Sequence, residues 1–211
     1  MSPAATLATV LLAYLPAAVS PGPNFVLIVH TAATGTRRAA VAIALGVVAA
    51  GGLLAAVAVF GLGGVLARTP WLATALRVVC GAYLAWLGAR LWWRAPADPA
   101  TPAKPPDQAV STPDRPGTFF RRGVLSNLTN PKAVAFFGSV LTATLPPTEP
   151  TAVKAAAVAL IVAASAAWHL GVALLFSSPV TQRWYARAEP ALNRVVGTVL
   201  VVLGVTLAVT P

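Results

Sequence analysis

Long apolar runs recur along the whole chain, separated by short basic segments, and that alternation leaves few folds open. Read between charges and helix breakers, the runs cover residues 4–33, 39–66, 71–93, 122–145, 155–178 and 191–209. At about 1.5 Å per residue, each is long enough to cross about 30 Å of hydrocarbon as a helix. Lipid offers no partner to backbone amides, so helices are required rather than open strands. Charged residues are 9% of the chain and hydrophobic ones 57%, whereas a soluble domain carries about 25% and about 45–50%. Those proportions exclude a soluble enzyme and a disordered chain.

The charge distribution sets an orientation. The chain holds 15 Lys and Arg against 5 Asp and Glu. Arg37, Arg38, Arg90, Arg94, Lys104, Arg115, Arg121, Arg122, Arg183, Arg187 and Arg194 fall on one side of the runs; Arg68 and Lys154 fall on the other. Cytoplasmic loops collect cations, so the first side is expected in the cytoplasm and both termini outside it. The same placement argues for membrane loops rather than a nucleic-acid surface. No Lys or Arg precedes Arg37, so the first run is expected to be a retained span rather than a signal peptide. One cysteine, Cys80, allows no intrachain disulfide and no CxxC pair; no metal and no cofactor are expected.

Residues 95–117 are the one hydrophilic stretch, with seven prolines in APADPATPAKPPDQAVSTPDRPG. Proline favours extended backbone, so a semi-extended cytoplasmic linker is expected. It divides the chain into 1–94, a linker of 95–120, and 121–211. Residues 76–88 and 192–204 match when shifted by 116, including Gly81 with Gly197 and Gly88 with Gly204. Each half carries three spans, an odd number, so the halves must lie upside down relative to each other, as in many secondary transporters. The expected fold is an all-α membrane protein of six transmembrane helices, arranged as two inverted three-helix repeats with helices one and four broken.

Both breaks sit inside apolar runs. Pro21-Gly22-Pro23 followed by Asn24 cannot continue a helix, and Gly22 with Pro23 reads as the cap and first residue of a new half-helix. A proline kink that only packs neighbours is the plainer alternative. In Asn127-Leu128-Thr129-Asn130-Pro131-Lys132, Asn130 is a good N-cap and Pro131 a good first helical residue. Half-helix N-termini inside hydrocarbon carry partial positive charge and unpaired amides, which a carboxylate can satisfy. Lys132 in the first turn opposes the helix dipole and is expected to have an anion beside it; snorkelling to an interface is the alternative. Pro21, Gly22, Pro23, Asn24, Asn127, Asn130, Pro131 and Lys132 are therefore the candidate substrate-binding residues. No acidic residue falls inside any of the six runs, which leaves His30 and His169 as the groups that titrate near neutral pH. His169, mid-span, is the proton-coupling candidate, although a hydrogen-bonded structural histidine is as good a reading. Ser165 and His169, four apart, also allow an intramembrane hydrolase, but no Gly-x-Ser-x-Gly is present. The spaced glycines read as close helix packing and leave a homodimer open.

These stretches together resemble the LysE/RhtB family of amino-acid exporters. The carrying residues are Ser20-Pro21-Gly22-Pro23-Asn24, Gly35-Thr36-Arg37-Arg38, the run from Gly81 to Gly88, the run from Phe120 to Lys132, and Leu192 to Gly197. The resemblance implies an inner-membrane translocator that exports amino acids or close derivatives and is driven by the proton gradient. Export of another small solute or ion is the alternative. The family often carries an acid after its Pro-Gly-Pro and many members carry one in the second span. Here Asn24 and an uncharged run stand in those places. A neutral or mildly polar amino acid is expected rather than lysine or arginine.

Overall fold

The computed structural model describes residues 2–93, 116–146 and 148–209. The expected linker lies mostly outside them. Among the described residues every regular element is helical: α1 (Pro3–Val19), α2 (Pro23–Thr34), α3 (Arg37–Ala56), α4 (Gly63–Arg68), α5 (Pro70–Trp92), α6 (Pro116–Leu128), α7 (Pro131–Ala135), α8 (Thr142–Thr144), α9 (Thr151–Leu175) and α10 (Pro179–Val209). Two π-helical segments, Val57–Leu62 and Phe136–Leu141, join α3 to α4 and α7 to α8 without a turn. Because α6 starts at Pro116, residues 116–120 are helix and not linker.

Four stretches are long and apolar enough to cross a membrane: Arg37–Leu66, Pro70–Trp92, Thr151–Leu175 and Arg187–Val209. The pair α1 and α2 passes with them as a fifth, bent by 54° at the break. The fourth apolar run is broken where expected, the halt at Thr129-Asn130 splitting it into α6 and α7, and neither piece is among these candidate spans. The last run also differs. Helix α10 starts at Pro179 and carries Pro190 in its interior rather than beginning after it. Glu189 consequently lies inside the stretch Arg187–Val209, 8% exposed. This corrects the expectation of spans without an acid; the periodic apolar face had been cut short by a proline that the helix tolerates.

Large side chains stay exposed along these helices, among them Leu53, Val79, Trp86, Leu175 and Val202. A surface so apolar suits lipid rather than water. Inside, small residues let backbones meet. A Cβ on Gly81 would stand 2.6 Å from Gly204 O, and one on Gly204 would stand 2.5 Å from Gly81 O. Gly88 and Gly197 oppose each other in the same way, at 2.5 and 2.6 Å. Residue numbers rise on α5 as they fall on α10, so the two helices run antiparallel. Gly123 lies against Ile43 O, and Asn127 against Val47 O, so α3 and α6 run parallel. Two apolar cores result. One gathers Val10, Tyr14, Phe136, Leu84, Ile161 and Leu200; the other gathers Phe25, Ile28, Ile43, Phe119 and Phe176.

Candidate functional site

The two breaks meet. Helix α1 ends at Val19 with Ser20 as its C-cap, and Gly22, in extended conformation, is the N-cap of α2, whose first residue is Pro23. Glycine brings no side-chain acceptor, so the first-turn amides of α2 have no side-chain cap. At the other break the Asn130 side chain accepts from Lys132 N at 3.0 Å, as an N-cap should. Asn130 thus caps as expected, and of the two N-termini only that of α2 is left without a side-chain cap.

Lys132 reaches from α7 across to the end of α1. Its Nζ donates to Ser20 O at 2.9 Å and to Ser20 Oγ at 2.8 Å. The expected anion is replaced by the carbonyl end of α1, whose partial negative charge favours a cation. Gly22 leaves room for that reach: a Cβ there would lie 3.0 Å from Lys132 Nζ. One break therefore satisfies the other.

Beside this contact runs a chain of amides. Ser126 Oγ donates to Asn24 Oδ1 at 2.8 Å, Asn24 Nδ2 donates to Asn127 Oδ1 at 2.8 Å, and Asn127 Nδ2 donates to Val47 O at 2.9 Å. It ties α6 to α2 and to the backbone of α3. Asn130, 2% exposed, has no partner for its Nδ2. A buried donor left unpaired carries a desolvation cost of about 1–3 kcal/mol, which makes it a place where a ligand acceptor is welcome.

Asn24, Asn127, Asn130 and Lys132 line one cavity of about 40 Å³, together with Tyr14, Ser20, Val47, Gly51, Ser165 and His169. It lies where the two cores meet, with Tyr14 and Phe136 on one side and Phe25 and Val47 on the other. Among the described residues Lys132 is the sole Lys or Arg in the lining, and no Asp or Glu joins it. Pro21, Gly22, Pro23 and Pro131 do not line the cavity: Pro21 is buried, Gly22 half-buried, and the rings of Pro23 and Pro131 are exposed. Their work is to break the helices.

His169 is 7% exposed, and its Nδ1–H donates to Ser165 O at 2.9 Å, with Ser165 Oγ 3.2 Å away. In the neutral ring this leaves Nε2 as the acceptor. Sequence reasoning missed Tyr14, Ser20, Ser126 and Gly51 as neighbours of the site. Ser20 and Ser126 stand beside the breaks, where adjacency could have flagged them; nothing in the sequence flags Tyr14 or Gly51.

The sequence model of the LysE type translocator family matches residues 15–210. Among curated proteins the chain is 31% identical over 201 residues to the threonine efflux protein of Escherichia coli K12, covering 95% of this chain and 96% of that one. It is 32% identical over 205 residues to the threonine efflux protein of Salmonella typhi, covering 95% and 96%. It is also 33% identical over 189 residues to an uncharacterized membrane protein of Escherichia coli K12, covering 89% and 82%. No solved structure shows a significant match. With its apolar helices, its paired breaks and a match along nearly its full length, this chain belongs to the LysE type translocator family, as a multi-pass membrane transporter and not an enzyme.

Proposed function

We propose that the protein exports small zwitterionic amino acids, threonine among them, across the inner membrane. The observation that carries this reading is Lys132, among the described residues the one Lys or Arg lining a cavity whose other polar groups are amides, hydroxyls and an imidazole, with no carboxylate. An amino-acid carboxylate fits that charge, and a second net positive charge on the substrate would find no partner. The names of the threonine efflux relatives support the same choice.

Binding is an exchange of partners. The substrate carboxylate takes Lys132 Nζ from Ser20 and accepts from Asn130 Nδ2. Ser20 O, released, then faces the α-ammonium, with the carbonyl end of α1 behind it. A water needs about 10–15 Å³ of such space, so a cavity of about 40 Å³ holds a few waters and not threonine. The cycle therefore opens this cavity to one side at a time, by parting one core while the other stays closed. The reciprocal contacts of Gly81 with Gly204 and Gly88 with Gly197 map onto each other under the repeat shift. They support six spans in two inverted repeats, whose rocking would alternate access. His169 is the group assigned to proton coupling, because it lines the same cavity and is the one histidine there.

The test is efflux from cells fed a threonine-containing dipeptide. Lys132→Gln keeps a donor for Ser20 but removes the charge; export is expected to fall at least about tenfold, since a hydrogen bond to a charged group is worth about 1.5–3 kcal/mol. Export at the wild-type rate would sink the carboxylate site. His169→Gln is expected to keep downhill exchange and lose acceleration by an imposed proton gradient.

A further inference from the structure

The cavity has one wall with no side chain. Gly51 is buried at the middle of the stretch Arg37–Leu66, on the same face of α3 as Val47, four residues earlier. The other buried glycines of the bundle are demanded by packing. At Gly46 a Cβ would meet Phe120 O at 2.1 Å, and at Gly123 it would meet Ile43 O at 2.1 Å; both are backbone, which cannot yield. Gly51 differs. A Cβ there would meet only the Asn127 side-chain nitrogen, at 3.4 Å, and Ser165 Oγ, at 3.9 Å. These are ordinary contacts, so close packing does not require glycine at this position. What a methyl group would take is room inside the cavity, between the amide chain on α6 and the Ser165–His169 pair on α9.

From this geometry we infer that Gly51 sets the size of the substrate: its missing side chain leaves the space into which the amino-acid side chain projects. The inference rests on the exporter reading and adds a specificity position to it. The carboxylate is held at Lys132 and Asn130. The floor at Gly51 is the backbone of α3, so a Cβ at 51 subtracts from the volume the cavity gains on opening. Ser165 Oγ and His169 beyond that floor give a polar end, suited to a hydroxylated side chain such as that of threonine.

The experiment uses the full chain in proteoliposomes, with uptake of radiolabelled glycine, serine and threonine by wild type, Gly51→Ala, and Gly171→Ala as control. Gly171 has nothing within 4 Å of its would-be Cβ and does not line the cavity. For Gly51→Ala the KM for threonine is expected to rise about tenfold or more, the range one extra methylene commands in a pocket, with glycine changing far less. Gly171→Ala is expected to match wild type on all three. An equal change on every substrate, or none, would overturn the assignment of Gly51. So would failure of Gly51→Ala to fold by gel filtration, because the contacts predict that alanine fits. Wild-type protein that moves none of the three overturns the exporter reading itself, and this inference with it.

Discussion

Asn127 is 4% exposed and uses both ends of its amide: Oδ1 accepts from Asn24 and Nδ2 donates to Val47 O. Lipid offers no replacement partner, so each protein partner lost here costs a buried hydrogen bond. Asn127→Leu keeps the volume and removes both functions, stranding Asn24 Nδ2. It is expected to lower stability by about 1–3 kcal/mol, read as a lower unfolding temperature in detergent. Lys132 shows the same economy at the scale of one residue. A cation in the first turn of α7 opposes that helix's dipole, and the sequence alone asks for an anion. The structure answers with Ser20 O and Oγ on another element. The requirement was legible at Lys132; the partner, 112 residues away, was not.

The helices themselves were largely legible, because apolar periodicity and breakers act locally. Pro23 and Pro131 begin helices where their rings predict, and Asn130 caps as its side chain allows. Where the reading failed, a local signal was overridden. Pro190 sits within α10 and not before it, and Glu189 is thereby drawn into the bundle. The glycines show how element packing sorts residues that look alike in sequence. Gly88 and Gly197 face each other's backbone, so Gly197→Val is expected to force α5 from α10 and destabilise the fold, seen as loss of the monodisperse species in detergent. Gly171→Ala faces open space and is expected to be neutral or to gain about 0.5–1 kcal/mol, the usual helix preference for alanine.

At the scale of the molecule, two apolar cores flank one cavity that carries the buried amides, and the cavity is formed by residues from α1, α2, α3, α6, α7 and α9. In the proposed cycle one core would part while the other seals. The cation asymmetry predicts which side is which. Alkaline phosphatase fused at the C-terminus is expected to be active, because the enzyme folds only outside the cytoplasm; inactivity there, with activity of a fusion at the linker, would reverse the orientation.

Composition, run length and the positions of proline determined by themselves that this chain is a helical membrane protein broken near Pro23 and Pro131, because hydrophobic transfer and backbone sterics act on each segment alone. Only the tertiary structure decided that the breaks face each other, that Ser20 holds Lys132, and that Gly51 opens onto the cavity while Gly46 does not. Those outcomes depend on how helices far apart in sequence approach one another, and close packing between them is fixed by atoms that neither segment contains.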